Sequence, residues 1–426
     1  MRSARIALLV LVGLWTVAAH PQSQIQHVII IIEENRTPDN LFHGFPGADI
    51  ANSGVNSLGE EIPLKQIGLR AAYDLGHSHA DFLAMYDNGQ MDGADKVQLY
   101  CPKKKQTCGP KNPQFKYVNP SQVAPYFEMG EQYTFADAMF QTNQGPSFPA
   151  HQFLLSGTSE PSEGSDLYDE TNPLATGRMG AGCFARKQAY VLLIDPSGDD
   201  SQRAYPCFEH QTLPDLLDAA GITWKFYTSS LKAGWTAPNA IQHLWQGADW
   251  QNVILDPSTI LTDISNNNLA GVSWVTPIWQ ASDHPDFNQG LGPSWVASIV
   301  NAVGNSPYWS NTAIFVTWDD WGGWYDHVAP LIYDQYTYGF RVPLLVISSY
   351  AKPGYVSHVT HDFGSILHFT EEVFNLPSLG FADSRADDLM DCFQFTAPQK
   401  FHSIRAPYDA RYFLTHKFSP GPIDDD

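Results

Sequence analysis

Basic side chains are scarce: Lys and Arg total 24 against 45 Asp and Glu, a formal charge of −21. So acidic a chain repels nucleic acid and anionic membrane surfaces as standing partners, and an anionic substrate then needs local help from a metal or from His and Arg. Long apolar runs are lacking too. No segment beyond the first residues approaches the roughly 20 apolar residues of a membrane helix. Cysteine is sparse, with five residues and no CxxC pair that would suggest a zinc knuckle or redox motif, and none stands in a nucleophile context. No internal repeat or linker divides the 426 residues, so one large α/β unit is expected.

The chain opens with Arg2 and Arg5 ahead of an apolar run from Ile6 to Ala19, ending in the small residues Val17-Ala18-Ala19. This pattern predicts an export signal over residues 1–20, too short to span a bilayer comfortably, followed by a single domain over 21–426. The mature protein is then secreted or periplasmic, with no transmembrane segment. In that oxidising compartment Cys101 with Cys108 and Cys183 with Cys207 are the expected local pairs, leaving Cys392 as a buried thiol. Asp424-Asp425-Asp426 reads as a short disordered acidic tail.

Ile25 to Ile32 is β-branched and nearly continuous, the pattern of a central strand covered on both faces, and it ends in Glu33-Glu34-Asn35-Arg36. Ala313 to Val316 reads the same way and runs into Thr317-Trp318-Asp319-Asp320-Trp321-Gly322-Gly323-Trp324-Tyr325-Asp326-His327-Val328. In open α/β sheets ligands collect beyond the carboxyl ends of strands, so two strand ends far apart in sequence offer oxygen ligands to one place. Taken singly, Asp319-Asp320 also fits a polar turn and Glu34 a helix-start carboxylate.

From Gly44 to Gly130 the composition predicts loops with brief helices. Within it Gly76-His77-Ser78-His79 sets two histidines in alternation, as on a strand or turn, able to reach one site from one side. In Gly145-Pro146-Ser147-Phe148-Pro149-Ala150-His151, the serine stands at a strand-to-helix entry ahead of a helical run from Gln152 to Leu155. Helix N–H groups there would favour an anion bound by Ser147, and a helix N-cap serine fits the local sequence equally. Further on, helix signals at Thr212–Gly221, Pro293–Val303 and Asp362–Phe374 alternate with strand signals at Ile222–Tyr227, Gly271–Thr276 and Leu344–Ser348, which argues for α/β architecture. Ser282-Asp283-His284-Pro285 is a loop after the Gly271 strand.

Glu34-Asn35-Arg36-Thr37-Pro38-Asp39-Asn40, Gly145-Pro146-Ser147, Asp283-His284-Pro285 and the stretch from Asp319 to Val328 occur in one order, joined by Phe340-Arg341-Val342-Pro343 and Lys352-Pro353-Gly354-Tyr355. That order resembles the phosphoesterase family of bacterial and plant non-specific phospholipases C and AcpA-type acid phosphatases, from about Ile25 to near Pro398. The resemblance implies an alkaline-phosphatase-like α/β fold, with a central, mostly parallel sheet sandwiched between helices and loop-rich insertions. It also implies a hydroxyl nucleophile presented beside a metal to a phosphate ester. Position by position it implies Glu34, Asn35, Asp319, Asp320 and Ser147 around the metal, although many members carry Asp-Glu where this chain has Asp319-Asp320. Ser147 takes the nucleophile position, with Asn35, His77, His284 and His327 around the phosphate.

A serine has no useful nucleophilicity at neutral pH without a base or metal, which is the chemistry these carboxylates supply. Carboxylates suit Ca²⁺, Mg²⁺ or Mn²⁺, and nearby histidines admit Zn²⁺ or iron. The motifs fit both a phospholipase C and a phosphomonoesterase. A secreted Ca²⁺-dependent glycan- or lipid-binding module is the reading from another class; it predicts binding without turnover and leaves Ser147 and the histidines without a purpose. A sulfatase would require a Cys/Ser-x-Pro-x-Arg context, which the chain lacks.

Overall fold

A computed structural model describes residues 24–101, 108–177, 180–285 and 288–419. The export signal at 1–20 and the acidic tail at 424–426 lie outside the described residues. Eight strands build the central sheet: β1 (His27–Glu33), β2 (Thr134–Ala136), β3 (Trp224–Tyr227), β4 (Val253–Ile254), β5 (Val272–Val275), β6 (Thr312–Trp318), β7 (Leu344–Ser348) and β8 (Tyr355–Ser357). Their order across the sheet is β4-β3-β5-β1-β6-β7-β2-β8. Only β7 runs against the rest, so the sheet is mostly parallel, as expected.

The isoleucine run makes β1 because β-branched side chains fit a pleated surface packed on both faces. Val28 through Ile32 are at most 1 % exposed, and each such burial is worth about 1.5–3 kcal/mol. Two groups of helices cover the sheet. One gathers α1 (Ala124–Gln132), α4 (Thr259–Ser265), α5 (Gly292–Gly304) and α7 (Ala410–Thr415); the other gathers α2 (Ser147–Ser156), α3 (Leu213–Ala220) and α6 (Phe363–Phe374). The helices expected over Thr212–Gly221 and Asp362–Phe374 form, each with a capped start. Thr212 and Asp215 make a reciprocal capping box at the start of α3, which ends on Gly221 in the left-handed conformation, and Asp362 with Ser365 does the same for α6.

Residues 44–130 hold short strands and one longer helix around a second apolar cluster that includes Leu75, Phe82, Phe115, Trp321, Trp324, Tyr325 and Phe340. The three aromatics after Asp320 thus belong to a core, with Trp321 and Trp324 fully buried. Cys101–Cys108 and Cys183–Cys207 are disulfides, and Cys392 is a buried free thiol, all as expected. Among the described residues no helix is long and apolar enough to cross a membrane.

Candidate active site

The two acidic motifs meet because β1 and β6 are adjacent and parallel, with Glu33 paired to Trp318. Glu34 and Asp319 therefore leave the sheet side by side at its carboxyl edge, and the Asp319 N–H still donates to the Glu33 carbonyl (3.0 Å). The loop after β5 joins them, since the Glu34 N–H donates to the Ser282 carbonyl (2.7 Å). Asn35 turns the chain with a φ of 61°, a conformation asparagine tolerates. Its N–H and that of Asp320 both donate to Asp319 Oδ1, at 3.1 and 2.8 Å. Gly322 and Gly323 bring the opposite loop against this turn, both at positive φ; a Cβ on Gly322 would stand 2.5 Å from that of Asn35.

Ser147 occupies the first position of α2, with Pro146 as its N-cap. Its hydroxyl donates to Asp320 Oδ2 (3.2 Å) and makes no capping bond, so the N-cap reading falls away. The helix start offers fewer N–H groups than the sequence suggests: Phe148 N–H is held by Asn172 Oδ1, Pro149 has none, and Ala150 N–H goes to the Pro146 carbonyl.

One turn along α2 is His151, which sequence reasoning missed. Its Nε2 lies 3.3 Å from Glu34 Oε1 and 3.7 Å from Asp319 Oδ2, and one donor atom from each of these three buried residues falls within 4.8 Å of the others. The available signal was the i, i+4 spacing from Ser147. It was hidden by starting the helix at Gln152.

The donor set fits a divalent ion. Glu34, Asp319 and Asp320 are completely buried, and concentrated buried negative charge is relieved by protonation or by a bound cation. His151 does not supply it, because burial holds its pKa down at about 4 despite the pull of Asp319. Arg36 does not either, as its guanidinium is spent on the carbonyls of Asp283 and Leu69 and on Asn40. Asp319 Oδ2 and Asn35 Oδ1 are buried without a hydrogen-bond partner. Burial and the neighbouring Asp319 push Asp320 up to about 7.

His77 comes to the same place. Its Nδ1 lies 2.9 Å from the Leu75 carbonyl, which puts the proton there and turns Nε2 towards Asn35 Nδ2 (3.4 Å) and Asp320 Oδ2 (3.8 Å). His79 does not share the site: Ser78 caps a helix that begins at His79, whose ring reaches the Gln144 carbonyl instead. His284 sits on the loop that abuts Glu34, with Nδ1 2.8 Å from the Pro285 carbonyl and its ring edge-on to Trp279. Next to it, burial and the Asp283 carboxylate push Glu33 well above the usual range, a second buried carboxyl pair that sequence reasoning also missed.

His327 lands in a different network. Its Nδ1 is 2.8 Å from Asp39 and its Nε2 3.2 Å from Asp49, while Asp326 is clamped by Arg341 at 2.8 and 3.0 Å. The structure thus separates His327 from the groups around Ser147 and gives Asp326 to Arg341. Burial works against a charge on His327, but the hydrogen bond to Asp39 and the Asp39 and Asp326 carboxylates outweigh it and raise its pKa to about 9. A pKa raised above the unfolded value of about 6.5 contributes stability in full below pH 6.5, and loses it as pH climbs through 9. His327→Gln is therefore expected to cost on the order of 1–2 kcal/mol at pH 6 and much less at pH 10. Denaturant unfolding at both pH values checks this; an equal cost at both would show that the charge is irrelevant.

A serine hydroxyl thus lies against buried carboxylates beside a cluster able to hold a metal. The chain belongs to the Phosphoesterase family, whose model matches residues 25–377, and it is a phosphoric ester hydrolase. It is similar to phospholipase C B of Mycobacterium tuberculosis, 22 % identical over 88 % of this chain and 79 % of that protein. It is also similar to the non-hemolytic phospholipase C of Pseudomonas aeruginosa, 24 % identical over 88 % of this chain but only 58 % of the relative. A solved protein of the alkaline phosphatase superfamily from Vibrio parahaemolyticus matches 85 % of this chain and 70 % of its own at 10 % identity and a TM-score of 0.37.

Proposed function

We propose that residues 21–426 are one exported, metal-dependent catalytic unit that cleaves phospholipids in the manner of a phospholipase C through a phosphoserine intermediate. The observation that carries this is Ser147, buried at a helix start with its Oγ 3.2 Å from Asp320 and with Glu34, His151 and Asp319 clustered on the same side. Two disulfides and the leader pattern support export, and the names of the relatives support the substrate class.

Asp320 Oδ2, 3.2 Å from the Ser147 hydroxyl, is placed to take its proton as the oxygen attacks phosphorus. The bond from phosphorus to the departing alkoxide breaks, and that alkoxide takes up the proton that Asp320 received from Ser147, beside His77. Asn35 Nδ2 holds His77 Nε2 in place and is itself a donor for a phosphoryl oxygen. Water then hydrolyses the phosphoserine. A divalent ion held by Glu34, Asp319 and His151 would lower the pKa of the serine and polarise the phosphoryl group when bound. A mixed oxygen and nitrogen donor set favours Mn²⁺, iron or Zn²⁺ over Ca²⁺ or Mg²⁺.

Purified protein given phosphatidylcholine and an aryl phosphate should release diacylglycerol in preference to free phosphate, lose that activity after dialysis against a chelator, and regain it on adding back metal. Phosphate release from monoesters alone would make the enzyme a phosphomonoesterase. Activity indifferent to chelation would remove the metal from the mechanism.

A further inference from the structure

A second cluster of metal-binding side chains lies apart from Ser147, between the far edge of the sheet and the C-terminal segment. His361, at the entry to α6, faces Asp391 and Cys392 on a short turn. Each offers a donor atom within 4.8 Å of the other two. We propose that His361, Asp391 and Cys392 bind a Zn²⁺ ion that fastens the C-terminal segment to the sheet edge.

The distances carry the argument. Zinc–nitrogen and zinc–oxygen bonds of about 2.0 Å at the tetrahedral angle put the two donor atoms roughly 3.3 Å apart, and a zinc–sulfur bond of about 2.3 Å puts sulfur roughly 3.5 Å from oxygen. His361 Nε2 is 3.4 Å from Asp391 Oδ1, and Cys392 Sγ is 3.5 Å from the same oxygen. The surrounding contacts hold the ring in place. His361 Nδ1 lies 2.8 Å from Asp387 Oδ1, and Nε2 lies 3.2 Å from Ser357 Oγ and 3.4 Å from Asp391 Oδ1, so the ring is fixed with Nε2 facing the cluster. Ser357 donates to Asp391 Oδ2, orienting the carboxylate so that Oδ1 is the oxygen facing His361 and Cys392. That assignment, with Ser357 fully buried, also argues against reading Ser357, His361 and Asp387 as a hydrolytic triad.

Charge and access agree with the ion. The Asp391 carboxylate and the Cys392 thiolate neutralise Zn²⁺, and the thiol proton goes to solvent on binding. His361 and Cys392 are completely buried, while the Asp391 side chain is 21 % exposed, leaving a route for the ion and a fourth position for water. The turn already touches the sheet, since the Cys392 carbonyl accepts from Lys352 N–H (2.9 Å) and from Thr134 Oγ1 (3.2 Å). The other four cysteines are paired, so no disulfide can do this fastening. Asp387, Asp391 and Cys392 also fall outside the stretch matched by the family model.

The test uses the full chain, dialysed against a chelator and titrated with Co²⁺. Glu34, His151 and Asp319 offer no sulfur, so a thiolate-to-cobalt charge-transfer band in the near ultraviolet reports this site alone. It should saturate when this site is filled, bleach with Zn²⁺ and vanish in Cys392→Ser. Asp387→Asn, at a partly exposed residue whose change spares the fold, should demand about 10- to 100-fold more Co²⁺ for the same band. Cobalt uptake without the band, or a band that survives Cys392→Ser, overturns the proposal. Should Cys392→Ser fail to fold, the band in the unsubstituted chain and its shift in Asp387→Asn decide, and an unshifted band counts against it.

Discussion

Ser147→Ala is expected to lower kcat on phosphatidylcholine and on an aryl phosphate by roughly 10⁴-fold or more, because removing a covalent nucleophile costs that much where the group acts as one unit with its base. The fold should not suffer. Ser147 makes no capping bond, its backbone already sits in helix behind Pro146, and alanine is the best helix former. What disappears is the single proton shared with Asp320 Oδ2. Metal content should be unchanged, since Glu34, Asp319 and His151 keep their donor atoms. The measurement is steady-state turnover on both substrates beside elemental analysis of the same preparation. Undiminished turnover would mean that water, and not Ser147, attacks phosphorus.

Asp319→Asn should have the second large effect, with opposite signs in two assays. Asparagine keeps the oxygen that accepts from Asn35 and Asp320 N–H, and loses only the charge on the atom that faces His151. Metal content and kcat/KM should therefore fall together, the latter by roughly 10³-fold. In chelator the same variant should be more stable than the parent by on the order of 1 kcal/mol, because Glu34 and Asp320 no longer share a dry site with a third carboxylate. Unfolding with and without metal, together with elemental analysis, checks both signs. If metal content and turnover both survive, the stretch after β6 is a turn and nothing more.

Several elements were legible in the linear chain for simple reasons. A run such as Ile29-Ile30-Ile31-Ile32 has few alternatives to a buried strand, and the capping residues around α3 and α6 act within four residues of themselves. The site was half legible by the same logic, because Glu34 and Asp319 each follow a strand of that kind. His151 was not, since its membership depends on where α2 begins, and Pro146 and Pro149 around Ser147 mask that boundary. His327 shows the opposite failure. It follows Asp320 closely in sequence, yet the turn at Gly322 and Gly323 carries the chain away to Asp39 and Arg341.

By itself the sequence indicated strands β1, β3, β5, β6 and β7, helices α3, α5 and α6, the local disulfide pairs, the family and the chemical types at the site. These follow from local propensity and from residue identity, which do not depend on distant contacts. Only the tertiary structure decided that Ser147 donates to Asp320, that His151 completes the carboxylate cluster, that Trp321 and Trp324 are core, and that His361, Asp391 and Cys392 converge. Each of those rests on the pairing of β1 with β6 or on a segment returning to the sheet, and such contacts join positions beyond the reach of local periodicity.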